Sequence, residues 1–254
     1  MNPQTSLLQR LSSLRVALLA ALVAVASGCL KIDDTLTINK DGSGSLHMVY
    51  AMPQSSIAQL ESMKTLMGQM QMASGQAASS NEVRSMFVFD EAGIRKQLAP
   101  FAARGVAIER LQIQDRQDWQ YVDLQLQFKS LDALFDTVYF QDFDVSLSKN
   151  KDGNYVLLVR TPEDKSTPKV KVGDPETQKA LSPVLTGLRM VARVVPPARI
   201  VETNAARKTD LSATWEIDYD REPRSVEQLQ DLRIYLMFDG QGLTLPDFKR
   251  AAAK

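Results

Sequence analysis

Residues 119–129 read Trp119-Gln120-Tyr121-Val122-Asp123-Leu124-Gln125-Leu126-Gln127-Phe128-Lys129, and polar and apolar side chains alternate along the run. Successive side chains of a strand point to opposite faces, so this is a half-buried β-strand. Val122, Leu124, Leu126 and Phe128 share one face, while Tyr121, Asp123, Gln125 and Gln127 share the other. Val106 to Asp115 alternates in the same way, and the tight polar turn Arg116-Gln117-Asp118 joins the two. The pair reads as an antiparallel hairpin.

The same signal recurs on both sides. Thr35-Leu36-Thr37-Ile38 and Ser45 to Met52 alternate across the turn Asn39-Lys40-Asp41-Gly42-Ser43-Gly44, and Pro53 ends the second strand. Phe143 to Ser148 and Tyr155 to Arg160 form a hairpin across Asn150-Lys151-Asp152-Gly153-Asn154. Arg189 and Arg193 have helical spacing, but Leu188, Met190, Ala192 and Val194 share one strand face, and strand is expected for 188–195. Pro196-Pro197 breaks that ladder. Arg199 to Thr203 is expected to pair with Leu211 to Tyr219 across residues 204–210, and Arg233 to Phe238 reads as a last strand. Phe87-Val88-Phe89 reads as a short strand.

Between the hairpins the period changes. Ile57, Leu60, Met63, Met67 and Met70 recur every three or four residues, giving an amphipathic helix over 54–72 that Ser55 or Ser56 could cap. Asp90 caps a helix over 91–103, Ser130 one over 131–136, and further helical segments are read at 175–185 and 225–231. Residues 73–82 and 161–174 read as flexible loops. Hairpins in succession with interspersed helices imply an α+β fold: an antiparallel sheet with helices packed on one face.

The N-terminus is a different kind of segment. Arg10 and Arg15 precede eleven uninterrupted apolar residues, Val16 to Ala26, and then Ser27-Gly28-Cys29. A charged region, a short apolar region and small residues before a cut site describe a secretory signal. The run is shorter than the roughly 20 residues that span a bilayer. Cys29 is the sole cysteine, so an intrachain disulfide is impossible and a thiol in an exported chain needs a role. The expected organisation is a signal at 1–28, cleaved between Gly28 and Cys29, and one extracytoplasmic α+β domain over 29–254.

Ala26-Ser27-Gly28-Cys29 resembles the lipobox of bacterial lipoproteins, with Ala26 where that pattern favours Leu. The resemblance implies a diacylglycerol on the Cys29 sulfur and acylation of the new amino group, hence a palmitate-type membrane anchor. Leu30 follows where an Asp would resemble an inner-membrane retention signal, which points by resemblance to the outer membrane facing the periplasm.

The mature chain carries 28 basic and 30 acidic side chains, which gives no electrostatic footprint for nucleic acid. His47 is the lone histidine and is expected on the solvent face of its strand. No Gly-x-Ser-x-Gly elbow, dinucleotide fingerprint or phosphate loop is present, and no metal or other cofactor is expected. The pairs Asp142/Asp144 and Asp218/Asp220 each fall on one side of a strand; they could hold a cation or cleave a glycoside, but solvated strand ends are the expectation. The two Asn-Lys-Asp-Gly stretches share residues with a calcium loop but read as hairpin turns. Met63, Met67 and Met70 are the candidate ligand or partner surface, since methionine packs adaptably against irregular apolar shapes.

The run 188–205, with its apolar strand, Pro196-Pro197, the strand 199–203 and Asn204, followed by Thr214-Trp215, resembles a pattern in LppM-like lipoprotein ectodomains. Pro197 stands where that pattern has Gly, and the Asp-Gly turn of the first hairpin also fits it. The resemblance implies an α+β ectodomain with an apolar, lipid-accepting cavity and no catalytic residues. The expected function is non-enzymatic: an anchored protein binding a lipid, glycolipid or envelope component, or alternatively a protein-binding assembly partner in an envelope complex.

Overall fold

The computed structural model describes residues 30–62, 87–162 and 175–252. The expected α+β class holds, with strands outweighing helices among the described residues and the sheet divided in two. The strands are β1 (Lys31–Ile38), β2 (Gly44–Pro53), β3 (Val106–Arg116), β4 (Trp119–Phe128), β5 (Asp144–Lys149), β6 (Tyr155–Arg160), β7 (Arg189–Val195), β8 (Ile200–Thr203), β9 (Arg207–Lys208), β10 (Ala213–Asp218), β11 (Arg233–Phe238) and β12 (Phe248–Arg250). A seven-stranded sheet runs β3-β4-β2-β1-β7-β10-β9, and a five-stranded sheet runs β12-β5-β6-β11-β8. The helices are α1, described over 54–62, α2 (Glu91–Leu98), α3 (Leu131–Phe135), α4 (Pro175–Leu185) and α5 (Glu227–Gln230).

Neighbours in sequence pair as hairpins: β1 with β2, β3 with β4 and β5 with β6, all antiparallel. Among the described residues the exception to antiparallel pairing is β1 with β7, parallel from Lys31↔Arg189 to Thr37↔Val195. A parallel pair needs a long crossover, and here the chain makes the whole β2–α4 excursion before returning. The first strand therefore lies inside the large sheet, hydrogen-bonded on both sides.

The alternation of β4 does what its sequence requires. Val122, Leu124, Leu126 and Phe128 are buried, and across the interior Leu147, Leu157, Leu236 and Phe238 of the small sheet are fully buried. These residues, with Leu131, Leu134 and Phe135 of α3 and Ile94 and Leu98 of α2, form one continuous core. A smaller cluster of Leu188, Ile217, Tyr219 and Val226 packs with Leu185 and Leu229 at the other edge.

Several local expectations change. Arg199–Thr203 and Leu211–Tyr219 do not pair with each other: β8 joins β11 in the small sheet, while β10 joins β7 and β9 in the large one. Pro196-Pro197 is the cause, because prolines cannot donate to a ladder and the chain leaves one sheet for the other there. Asn204 then ties the sheets together. Its Oδ1 accepts from Trp215 Nε1 and from Tyr235 N, both at 2.9 Å, and its Nδ2 donates to Arg233 O at 2.6 Å. Phe87-Val88-Phe89 is not a strand; it packs its rings on Tyr50 instead. The helix capped by Asp90 is α-helical to Leu98 and then tightens to a 3-10 turn over Ala99–Arg104, where Pro100 removes a donor. Ser130 occupies the N-cap of α3 without a side-chain cap bond, and the C-terminal strand β12 pairs with β5 although no alternation announces it.

Both Asn-Lys-Asp-Gly stretches are hairpin turns. Gly42 and Gly153 each sit at φ +83°, and each donates to the carbonyl of the turn's Asn. The β3–β4 turn reaches the same left-handed region without glycine, with Gln117 at φ 50° and Asp118 at 64°. Two consecutive positive φ values make the type I′ turn that matches strand twist, in which Asn-Gly is preferred. Side chains in this region carry a steric cost of about 1 kcal/mol each. Asp118→Gly keeps the carbonyl that accepts from Gln54 N at 2.8 Å and is expected to stabilise the protein by about 0.5–1 kcal/mol. A thermal melt should show a higher midpoint; an unchanged or lower one would contradict the strain assigned to this turn.

Candidate functional site

The alternation of β1 carries an irregularity that decides where chemistry can occur. Ile32, Asp34, Leu36 and Ile38 occupy alternate positions, and three of the four are buried apolar residues. Asp34 must therefore face the same interior as they do. The register places it between Met48 of β2 and Ala192 of β7, with Trp215 of β10 next along the same cross-strand row. Met48 is closed off, whereas Asp34, Met190, Ala192 and Trp215 stay half-buried. The inner wall of the large sheet is thus less tightly covered along this row than at Met48.

The Asp34 Oδ1 is buried and has no hydrogen-bond partner among the described residues. Burial, with a further contribution from the neighbouring Asp33 charge, pushes its pKa up from 3.8 to about 8. The group is then a neutral acid at pH 7, a donor rather than an anion. Two phenols share the region. Tyr139 follows α3 and has a buried hydroxyl, also without a partner among the described residues. Tyr50 donates to Val88 O at 2.6 Å and packs against the rings of Phe87 and Phe89, with centroids 5.2 and 5.3 Å away. Burial raises both phenols, and the Asp34 charge adds to the shift of each. Unpaired buried polar atoms are costly in a core. A carboxylic acid and a phenol facing an apolar wall can donate to ester, hydroxyl or amide oxygens of an amphiphilic molecule.

The residues singled out from sequence take other roles. His47 lies on the outer face of the large sheet, its Nε2 2.9 Å from Asp123 Oδ1, and Arg110 Nη2 is 3.0 Å from the same oxygen. This is an exposed ion cluster. Asp144 accepts from Ala252 N at 3.0 Å and pairs with Arg160 at 3.3 Å. With Asp136 and Asp142 it surrounds Arg250, whose guanidinium donates to Phe140 O and Phe143 O. Asp218 pairs with Arg189 and accepts from Arg221 N, while both Asp220 oxygens accept from Gly187 N at 3.1 Å. Each carboxylate pair is thus committed to chain ends and turns. Asp41 is held by the Ser43 hydroxyl and amide, which keep its carboxyl below the usual range. Among the described residues no group of three or more His, Cys, Asp or Glu is placed to hold a metal. Gly28, Cys29, Met63, Met67 and Met70, the loop 73–82, and all but the first two residues of the loop 161–174 lie outside the described residues.

Sequence reasoning passed over Asp34. The available signal was period two: extending the alternation of Leu36 and Ile38 backwards puts Asp34 on their face.

No family model matches this chain, and no curated protein matches it. Among solved structures the chain is similar to the NMR structure of the Mycobacterium tuberculosis LppM protein folded domain. The two are 16% identical over 86% of this chain and 95% of that one, with a TM-score of 0.40.

The raised pKa of Asp34 has a consequence for stability. Between about pH 4 and 8 the folded state binds a proton that the unfolded chain releases, so this group's contribution is full below pH 4 and is lost as pH rises through 8. Asp34→Asn removes that dependence. Denaturant unfolding should show the stability difference between variant and wild type shifting toward the variant by roughly 2–4 kcal/mol from pH 4 to pH 9. A pH-independent difference would contradict a neutral Asp34.

Proposed function

We propose that this chain is a lipid-anchored cell-envelope protein whose α+β domain binds an amphiphile, a lipid or glycolipid, and acts by binding rather than by catalysis. The observation that carries the reading is the contiguity of anchor and fold. The candidate lipidated residue is Cys29, and β1 begins at Lys31. A signal at 1–28 followed by a cleaved, acylated Cys29 would leave the domain over 29–254 standing directly on the membrane, on the periplasmic side of an outer membrane where Leu30 replaces a retention signal. Among the described residues no helix is long and apolar enough to cross a membrane, so attachment in this reading falls to the acyl chains.

The ligand reading rests on Asp34 and Tyr139. Their buried, unpartnered polar atoms against an apolar wall suit a molecule that is mostly hydrocarbon with a few oxygen acceptors.

Two experiments test the two halves separately. Cys29→Ala in the full chain should shift the protein from the membrane fraction to the soluble or unprocessed pool; unchanged membrane attachment of a processed chain would overturn the anchor. For the ligand, organic extraction of detergent-purified protein releases what is held non-covalently and leaves a covalent anchor in place. Wild type should yield a bound glycerolipid or glycolipid and Asp34→Leu several-fold less. Equal yields, or a clean extract together with a crosslinked protein partner, would overturn lipid binding and favour the assembly reading.

A further inference from the structure

The hairpin turn of β3–β4 and the start of β1 lie at the same end of the large sheet, and this end carries a particular set of side chains. Lys31 pairs with Ala51, Ala51 with Tyr121, and the next row holds Pro53, Trp119 and Arg116. Alternation puts Lys31, Tyr121, Trp119 and Arg116 on the outer face, opposite the core. Lys31 Nζ stands 4.1 Å from the centroid of the Trp119 ring. The Trp119 and Tyr121 rings are 6.4 Å apart, and the Arg116 guanidinium is 5.8 Å from the Tyr121 ring. Both rings are half-buried, and both cations are exposed.

We propose that Lys31, Arg116, Trp119 and Tyr121 form a membrane-facing surface that orients the domain on the phospholipid bilayer holding its anchor. The inference rests on the anchor reading of Cys29. Its physical basis is where the chain outside the fold ends: two residues reach at most about 7 Å, so acyl chains on Cys29 hold Lys31 at the headgroup layer. The side chains found there are those that favour this layer. Trp and Tyr combine an apolar ring with a polar edge, and Lys and Arg lay an apolar stem along the boundary while the charged head stays wet. Asp115, next to Arg116 in β3, and Asp118 in the turn balance the two cations in formal charge. Docking is therefore governed by the rings rather than by attraction to anionic lipid, and it should persist in high salt.

The chain contains two tryptophans, Trp119 and Trp215. Trp215 sits on the inner face, level with Asp34 and about 17 Å from Trp119 along the strands, at about 3.3 Å per residue. The test reconstitutes the full lipidated chain in phosphatidylcholine vesicles whose acyl chains carry bromine, and reads tryptophan emission against unbrominated vesicles. With one of the two tryptophans at the interface, wild-type emission should fall by roughly half. The loss should survive high salt. Trp119→Phe should abolish the quenching and Trp215→Phe should deepen it. Because Trp215 makes the Asn204 bond, the conclusion rests on wild type and Trp119→Phe if the other variant does not fold. A protein that floats with the vesicles but is not quenched, or that is quenched equally without Trp119, overturns this surface and leaves the anchor standing. A processed protein that does not float overturns the anchor reading first.

Discussion

The parallel pairing of β1 with β7 is the constraint on which the rest of the structure depends. Most N-terminal strands could lie at a sheet edge, where fraying costs little. Here Leu36 lies between Leu46 and Val194, with Ala213 beyond, so removing β1 would open the middle of the large sheet. The pairing also decides geometry. It brings Lys31, Arg189 and Asp218 to one end of the sheet, the end from which the chain emerges toward Cys29. A lipid on that cysteine would act on a strand held on both sides, and the domain could not swing freely on a linker.

The same strand accounts for the interior polar group. Because β1 is central, its inward positions face the space between the two sheets, and one of them is Asp34. An exposed edge position would leave that carboxyl in water and ionised. In the middle of the sheet it loses hydration, its pKa rises to about 8, and it stands as a neutral acid within electrostatic reach of buried Tyr139. Stability is given up at this point, since a Leu would pack there without an unpaired oxygen. Such local costs are characteristic of binding sites.

Much of the fold was legible in particular residues. The three hairpins β1–β2, β3–β4 and β5–β6 could be read because alternation fixes strand faces and short polar turns, two of them Asn-Lys-Asp-Gly, fix registers locally. The burial of Leu124 and exposure of Gln127 follow from the same period. Long-range partnership was not legible. Nothing local in Ile200–Thr203 says that it joins β11 rather than β10, and the double proline announces only that a ladder ends. The tie through Asn204 needs Trp215 and Tyr235, 11 and 31 residues away. The parallel pair β1–β7 likewise joins segments separated by most of the domain. Asp34 was legible in principle from its alternation with Leu36, but its significance depends on β1 being central. The methionine stripe from Met63 to Met70 belongs to residues the structure does not describe, and the ligand reading now rests on Asp34 and Tyr139 instead.

The most direct test of the account is the mass of the mature N-terminus. Trypsin cuts after Lys31, so the mature protein should yield a peptide beginning at Cys29 with the sequence Cys29-Leu30-Lys31. The account predicts that this peptide carries a diacylglycerol on sulfur and an acyl chain on its amino group, in protein purified from membranes. An unmodified Cys29, or a peptide that runs intact from residue 28 into residue 29, would contradict it.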